Sequence, residues 1–164
     1  MKLYIEEHVF TWGDKFSVLN EQGEEVFFVE GEVFTWGKKL HVYNAAQQEV
    51  TYIEQELFTF RPCYHVYIGG GEAAQIRQEF SFFTPRFRVY GPQWDVEGYF
   101  LGHEYEISSD GRQIAFIEKE WMTWGDCYEL NIADPADTLL ALATVLTIDC
   151  MVEAQRNKSI NIKI

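Results

Sequence analysis

The sequence predicts an all-β domain: a closed barrel of about twelve antiparallel strands enclosing one apolar α-helix at its C-terminal end. Two observations carry that prediction, a phrase that recurs along the chain and a change of texture after residue 133. The phrase runs Val9-Phe10-Thr11-Trp12-Gly13-Asp14-Lys15-Phe16-Ser17-Val18 and returns with the copies that begin at Val33, Leu57 and Phe80, which lie 24, 24 and 23 residues apart. A last copy spans Trp121 to Leu130, and a shorter relative, Val96 to His103, precedes it. Periods of this length set the architecture, because each repeat is one supersecondary unit. Six units, each long enough for a two-stranded hairpin, give about twelve strands.

Each unit reads as strand, tight break, strand. From Val29 to Trp36 the alternation places Glu30, Glu32, Phe34 and Trp36 on one face and Val29, Gly31, Val33 and Thr35 on the other. Gly37 turns the chain and Leu40 to Tyr43 continues as the partner strand. Turn-forming clusters separate the units: Asn20 to Gly23, Asn44 to Gln47, Gly69 to Gly71, Gly91 to Gln93 and Ser109 to Gly111. A sheet of so many strands closes or splits, since open edges invite aggregation.

Strands are expected over about 2–133, the helix over about 135–155 and a short tail over 156–164, strand-like in its alternation from Ser159 to Ile164, all in one domain spanning 1–164. Asp134 can cap the helix, Pro135 suits its first position and Asp137 favours the positive end of its dipole. Thr138 to Val152 is apolar on every face, the signature of a helix buried all round. Fifteen residues span roughly 22 Å, short of a ~30 Å hydrocarbon core, and Asp149 interrupts the run. No transmembrane segment is therefore expected. A wide barrel can surround such a helix. A β-trefoil also uses six hairpins but has no central helix.

The chain has 164 residues, enough for one domain with a substantial core, and 16% aromatics. A net charge of −13 argues against nucleic acid, which needs clustered Lys and Arg. Met1 to Glu7 turns acidic where a signal peptide would become apolar. Cys63, Cys127 and Cys150 form no CxxC, and with His8, His41, His65 and His103 they lie dispersed, so reduced thiols in a cytoplasmic protein, without structural zinc, are expected. No cofactor is implied.

The breaks inside the units carry Lys15, Lys38, Lys39, Arg61, Arg86 and Arg88, whereas the turns between units carry Glu21, Glu24, Glu25, Glu49, Glu72, Asp95 and Asp110. The barrel is thus expected to be basic at one mouth and acidic at the other. Trp12, Trp36, Phe60 and Trp124 fall at the basic mouth, and rings with cations suit a lipid headgroup boundary. The competing expectation is that these rings plug the barrel end while the cations stay hydrated. The pairs Glu30/Glu32, Glu54/Glu56 and Glu118/Glu120 recur unit after unit, as an exterior charge pattern does and a catalytic pair does not. Asp149 is the buried polar residue of the helix, a costly charge unless a wall tyrosine, tryptophan, arginine or amide bonds it. There is no G-x-S-x-G, Gly69-Gly70-Gly71 joins strands and cradles no phosphate, and His65 reads as a satisfied strand histidine. No catalytic residue is named.

Tyr4-Ile5, Phe10-Thr11-Trp12, Tyr52-Ile53-Glu54-Gln55, Trp94 to Gly98, Glu120 to Asp126, and Ala133-Asp134-Pro135 with Leu146 to Cys150 together resemble a bacterial member of the LURP-one-related family, of tubby-like architecture. The resemblance covers nearly the whole chain to about residue 155. Plant relatives are associated with defence responses, tubby domains bind phosphoinositides through a basic patch, and phospholipid scramblases are assigned to the same superfamily. The resemblance therefore implies a cytoplasmic, non-catalytic binding or scaffold domain for a lipid headgroup or a protein partner, and it assigns no residue of this chain to the tubby patch. The alternative is a small-molecule carrier or enzyme using a cavity beside the helix. A polar cavity reaching Asp149 would favour that alternative, and a flush helix the first reading.

Overall fold

The computed structural model describes residues 1–8, 13–119 and 127–161. The first half of the wall is β1 (Lys2–Glu7), β2 (Lys15–Leu19), β3 (Glu25–Gly31), β4 (Lys39–Asn44), β5 (Glu49–Gln55) and β6 (Cys63–Ile68). The second half is β7 (Gly71–Glu79), β8 (Arg86–Tyr90), β9 (Trp94–Tyr99), β10 (Glu104–Ser109), β11 (Arg112–Lys119) and β12 (Cys127–Ile132). Every strand pairs antiparallel with its sequence neighbours and β1 closes on β12, so the barrel is up-and-down with no open edge.

The wall's inner ring explains why this sequence closes. Each strand contributes one aliphatic side chain with no exposed surface, and these meet in cross-strand pairs: Ile5–Val18, Val29–Val42, Ile53–Val66, Ile76–Val89, Val96–Ile107 and Ile117–Leu130. β-branched pairs of this kind are the stabilising unit of a sheet. The turns recur too. Asn20 Oδ1 accepts from the amides of Gln22 and Glu24, and Asn44 Oδ1 from those of Ala46 and Gln48. The register shifts after Val18, Val42 and Val66 are β-bulges that add twist where the wall must curve.

In an up-and-down barrel alternate connections share an end. The short turns lie at one end, here the turn mouth. The loops joining β3–β4, β5–β6, β7–β8 and β9–β10 lie at the other, the loop mouth, with the C-terminal ends of β1 and β11. The chain leaves β12 at the turn mouth, where Asp134 Oδ1 accepts from the Ala136 amide at 2.9 Å and Pro135–Asp137 forms a 3-10 turn. Helix α1 (Thr138–Asn161) then runs back through the barrel and emerges at the loop mouth. From Ala141 to Ile148 every residue is buried against the wall. By length and composition Pro135–Asn161 would serve as a membrane-crossing helix; here its middle, Ala141 to Ile148, is enclosed by the chain's own strands.

Two sequence expectations need correction. The helix continues to Asn161, so residues 156–161 are not a strand-like tail; Ala154, Gln155, Arg156 and Lys158 are good helix formers that outweigh the alternation after Ser159. The strand expected from Val29 to Trp36 stops at Gly31. Glu32 donates its amide to the Lys39 carbonyl at 3.0 Å, and Glu56 likewise to that of Cys63 at 2.9 Å, closing 33–38 and 57–62 as loops. Phe34 (φ 61°) and Gly37 (φ 81°) break the alternation.

Gly37 needs its missing side chain, since a Cβ there would lie 2.7 Å from Leu57 Cδ2. Leu57 could yield, but the left-handed backbone costs a non-glycine residue about 1–2 kcal/mol. Gly37→Ala is therefore expected to lower stability by about that amount in urea titration, with strand content unchanged by circular dichroism. An unchanged midpoint would show that the loop adapts.

Candidate functional site

The loop mouth is rimmed with exposed aromatic side chains. Phe34 and Trp36 (β3–β4 loop), Phe58 and Phe60 (β5–β6 loop), and Phe80, Phe82 and Phe83 (β7–β8 loop) are each at least 70% exposed. Phe80 and Phe82 meet edge to face with ring centroids 4.9 Å apart. Phe34 and Phe58 occupy equivalent positions and both hold positive φ, 61° and 60°, a conformation uncommon for bulky residues. These rings do not plug the barrel, so that expectation is overturned for the described residues. Trp12 and Trp124, also expected at this rim, lie outside the described residues.

Each of the six cations expected here has a carboxylate within 4.0 Å. Lys15 pairs with Glu30 at 3.1 Å, Lys38 with Asp14 at 2.5 Å and with Glu153 at 3.6 Å, and Lys39 with Glu54 at 3.8 Å and Glu32 at 4.0 Å. Arg61 pairs with Glu79 at 3.7 Å, Arg86 with Glu97, and Arg88 with Asp95 at 2.8 Å. Arg88 lies along the wall, mid-strand in β8, rather than at the rim. The expected basic mouth is thus neutralised by carboxylates from neighbouring strands, and the rim is apolar before it is cationic. Glu30, Glu32 and Glu54 are among these exterior partners, and Glu56 pairs with His65 at 3.1 Å; Glu120 lies outside the described residues.

Where α1 emerges, a cavity of about 360 Å³ opens beside it, lined by Glu7, Asp14, Phe16, His103, Tyr128, Asp149 and Glu153 among others. Tyr128 donates its hydroxyl hydrogen bond to Asp149 Oδ2, and His103, stacked on Tyr128 at 4.4 Å, brings its Nδ1 to 3.8 Å from Asp149 Oδ1. Burial pushes the Asp149 carboxyl up to about 7, with the Tyr128 bond opposing and the Glu7 and Glu153 charges adding. Asp149 is therefore anchored by a wall tyrosine, as the sequence suggested, and it also faces a polar cavity. The group can carry or release a proton near neutral pH. Its helix neighbour Cys150 is an inert buried thiol raised far above its ordinary range by burial.

A third feature was missed from the sequence. On the outer wall His41 sits between Glu49 (2.5 Å) and Glu32 (2.8 Å), and His65 between Glu72 (2.8 Å) and Glu56 (3.1 Å). Partial burial opposes charge on both rings, but the paired carboxylates outweigh it and raise both histidines above their ordinary value. The signal was present in the 24-residue offset between Glu32/His41 and Glu56/His65; it needed the register to show that three adjacent strands align them.

A closed antiparallel barrel of twelve strands around its own C-terminal helix is the tubby-like class of barrel. The chain belongs to the LURP-one-related family, whose model matches residues 1–149. It is 28% identical over 161 residues to a Bacillus subtilis (strain 168) protein named uncharacterized protein YxjI, covering 98% of this chain and 99% of the relative. An X-ray structure of a protein from Arabidopsis thaliana superposes with a TM-score of 0.64 at 12% identity, over 91% of each chain. At that identity the likeness shows the fold alone.

Proposed function

We propose that the chain is a non-catalytic binding domain whose loop mouth docks on the interfacial layer of a zwitterionic phospholipid bilayer. The observation that carries this reading is the rim of seven exposed aromatics on three neighbouring loops. Separate protruding tips suit insertion between headgroups better than a flat protein interface, and Trp and Phe rings favour that layer. Phe34 and Phe58 keep strained backbone while exposed, and strain of this kind gathers at sites of use. The paired cations and the net charge of −13 argue for zwitterionic rather than anionic lipid, so the phosphoinositide preference implied by the tubby resemblance is not expected to carry over.

Flotation with phosphatidylcholine vesicles tests this. The wild-type chain is expected to float, with little dependence on salt. The variant with Trp36, Phe58, Phe60 and Phe83 all changed to Ser is expected to partition at least about tenfold less, since each inserted ring contributes about 1.5–3 kcal/mol when fully buried. Its thermal midpoint should match wild type, because these side chains touch no core. Binding only to anionic vesicles, weakened by salt, would point back to the cations; no flotation at all would end the reading.

One observation favours a second reading. The cavity at Asp149 is at the low end of ligand-pocket volumes and sets carboxylates and Arg156 beside apolar side chains such as Phe100 and Ile160, which supports a carrier for a small amphipathic molecule.

A further inference from the structure

We infer that Glu56, Cys63 and His65 form a binding site for a divalent transition-metal cation, zinc by its donor set, on the outer wall of the barrel. Independently of the docking reading, the inference starts from a substitution within the repeat. The even-numbered strands open with Lys15 in β2, Lys39 in β4, Arg86 in β8 and Glu104 in β10, but with a thiol at Cys63 in β6 and at Cys127 in β12. In the second unit Lys39 supplies the positive charge beside Glu32 and Glu54. In the third a thiol stands in its place: Glu56 and His65 keep the positions of Glu32 and His41, while Arg77 faces Cys63 where Glu54 faces Lys39.

The donors converge. Among the described residues this is the one group where three metal-capable side chains meet: the Glu56 carboxylate, Cys63 Sγ and a ring nitrogen of His65 all lie within 4.8 Å of one another. A tetrahedral zinc ion with bonds of about 2.0–2.3 Å spaces its ligands about 3.3–3.8 Å apart, so small side-chain rotations suffice. His65 Nε2 faces Glu56 Oε2 at 3.1 Å, and its Nδ1 is held by Glu72 at 2.8 Å. A carboxylate on the far nitrogen is how metal-binding histidines are oriented. Arg77, across the ladder from Cys63, also bonds Gln75 Oε1 at 2.8 Å and lies 5.5 Å from the Tyr90 ring. Burial and the bond to Glu56 push the Cys63 thiol up, with the Arg77 charge opposing. Binding exchanges the Cys63 proton for a sulfur–metal bond and releases that proton to solvent.

The test titrates the full, chelator-stripped chain with zinc against a chromophoric competitor, and with cobalt as an optical substitute. One equivalent of zinc is expected, with a thiolate-to-cobalt charge-transfer band and a rise in thermal midpoint. Cys63→Ser should abolish the band. His65→Gln should weaken zinc more than about tenfold, and Glu72→Gln about tenfold or more. His41→Gln, the same strand position one unit earlier, should leave affinity unchanged. The band on wild-type protein reads sulfur ligation without relying on any variant's fold. Absence of zinc uptake, a band surviving in Cys63→Ser, or an equal loss in His41→Gln would overturn the site.

Discussion

A chain ending at Asp134 is expected to be an insoluble or molten shell, without near-ultraviolet circular dichroism and without a cooperative unfolding transition. The reason lies in what fills the barrel. Leu142, Val145, Leu146, Ile148 and Met151 are at most 1% exposed, all on α1 and all against the inner ring. At about 1.5–3 kcal/mol per fully buried side chain, these five alone match the whole net stability of an ordinary domain, about 5–15 kcal/mol. Removing the helix also wets the twelve inward aliphatics, and the wall of a twelve-stranded barrel is too wide for its own side chains to close the gap. A soluble truncated chain with a sharp transition would mean that the wall stands without its filling.

Asp149→Asn is expected to stabilise the protein above neutral pH, by up to about 4 kcal/mol at 1.36 kcal/mol per pKa unit. An unfolded aspartate ionises near 3.8, whereas here burial raises the carboxyl to about 7. Between those values the folded state keeps a proton that the unfolded state has released. The contribution is therefore fully present below about pH 4, declines as pH rises and is gone above about pH 7. Asparagine keeps the acceptor for Tyr128 and removes the charge, so its stability curve should lack this decline. The groups facing the carboxyl are His103, Tyr128, Glu7 and Glu153. Tyr128→Phe should move the decline to higher pH, because the Tyr128 bond opposes the rise. The side chain is structural as an acceptor, and its charge is the unfavourable part. A wild-type profile flat from pH 4 to 8, or an asparagine variant less stable at pH 8, would contradict this.

Much of the wall was legible because periodicity is a property of the chain. The offset between Val18, Val42 and Val66 predicts equivalent inward positions, and Thr138 to Val152, apolar on every face and interrupted by Asp149, predicts an enclosed helix. The rim was less legible. Trp36 and Phe58 continue a strand-like alternation, and only the left-handed backbone at Phe34, Phe58 and Gly37 shows that the rings belong to loops facing solvent. The cations were misjudged for a related reason. A count of lysines and arginines per turn takes no account of the register, which sets Glu30 opposite Lys15, Glu54 opposite Lys39 and Asp95 opposite Arg88. The cluster at Cys63 and His65 was visible as letters, but Glu56 joins it only across a ladder.

The most direct test of the docking mouth is a nitroxide spin label at Phe60→Cys, with a second labelled chain at Gln47→Cys as reference. Phe60 is fully exposed at the loop mouth, and Gln47 lies in a turn at the opposite end; the native thiols are buried. On addition of phosphatidylcholine vesicles, the label at 60 should gain oxygen collisions and lose those with a polar relaxant, while the label at 47 stays in water. Equal, aqueous accessibility at both positions with vesicles present would contradict a membrane-facing loop mouth.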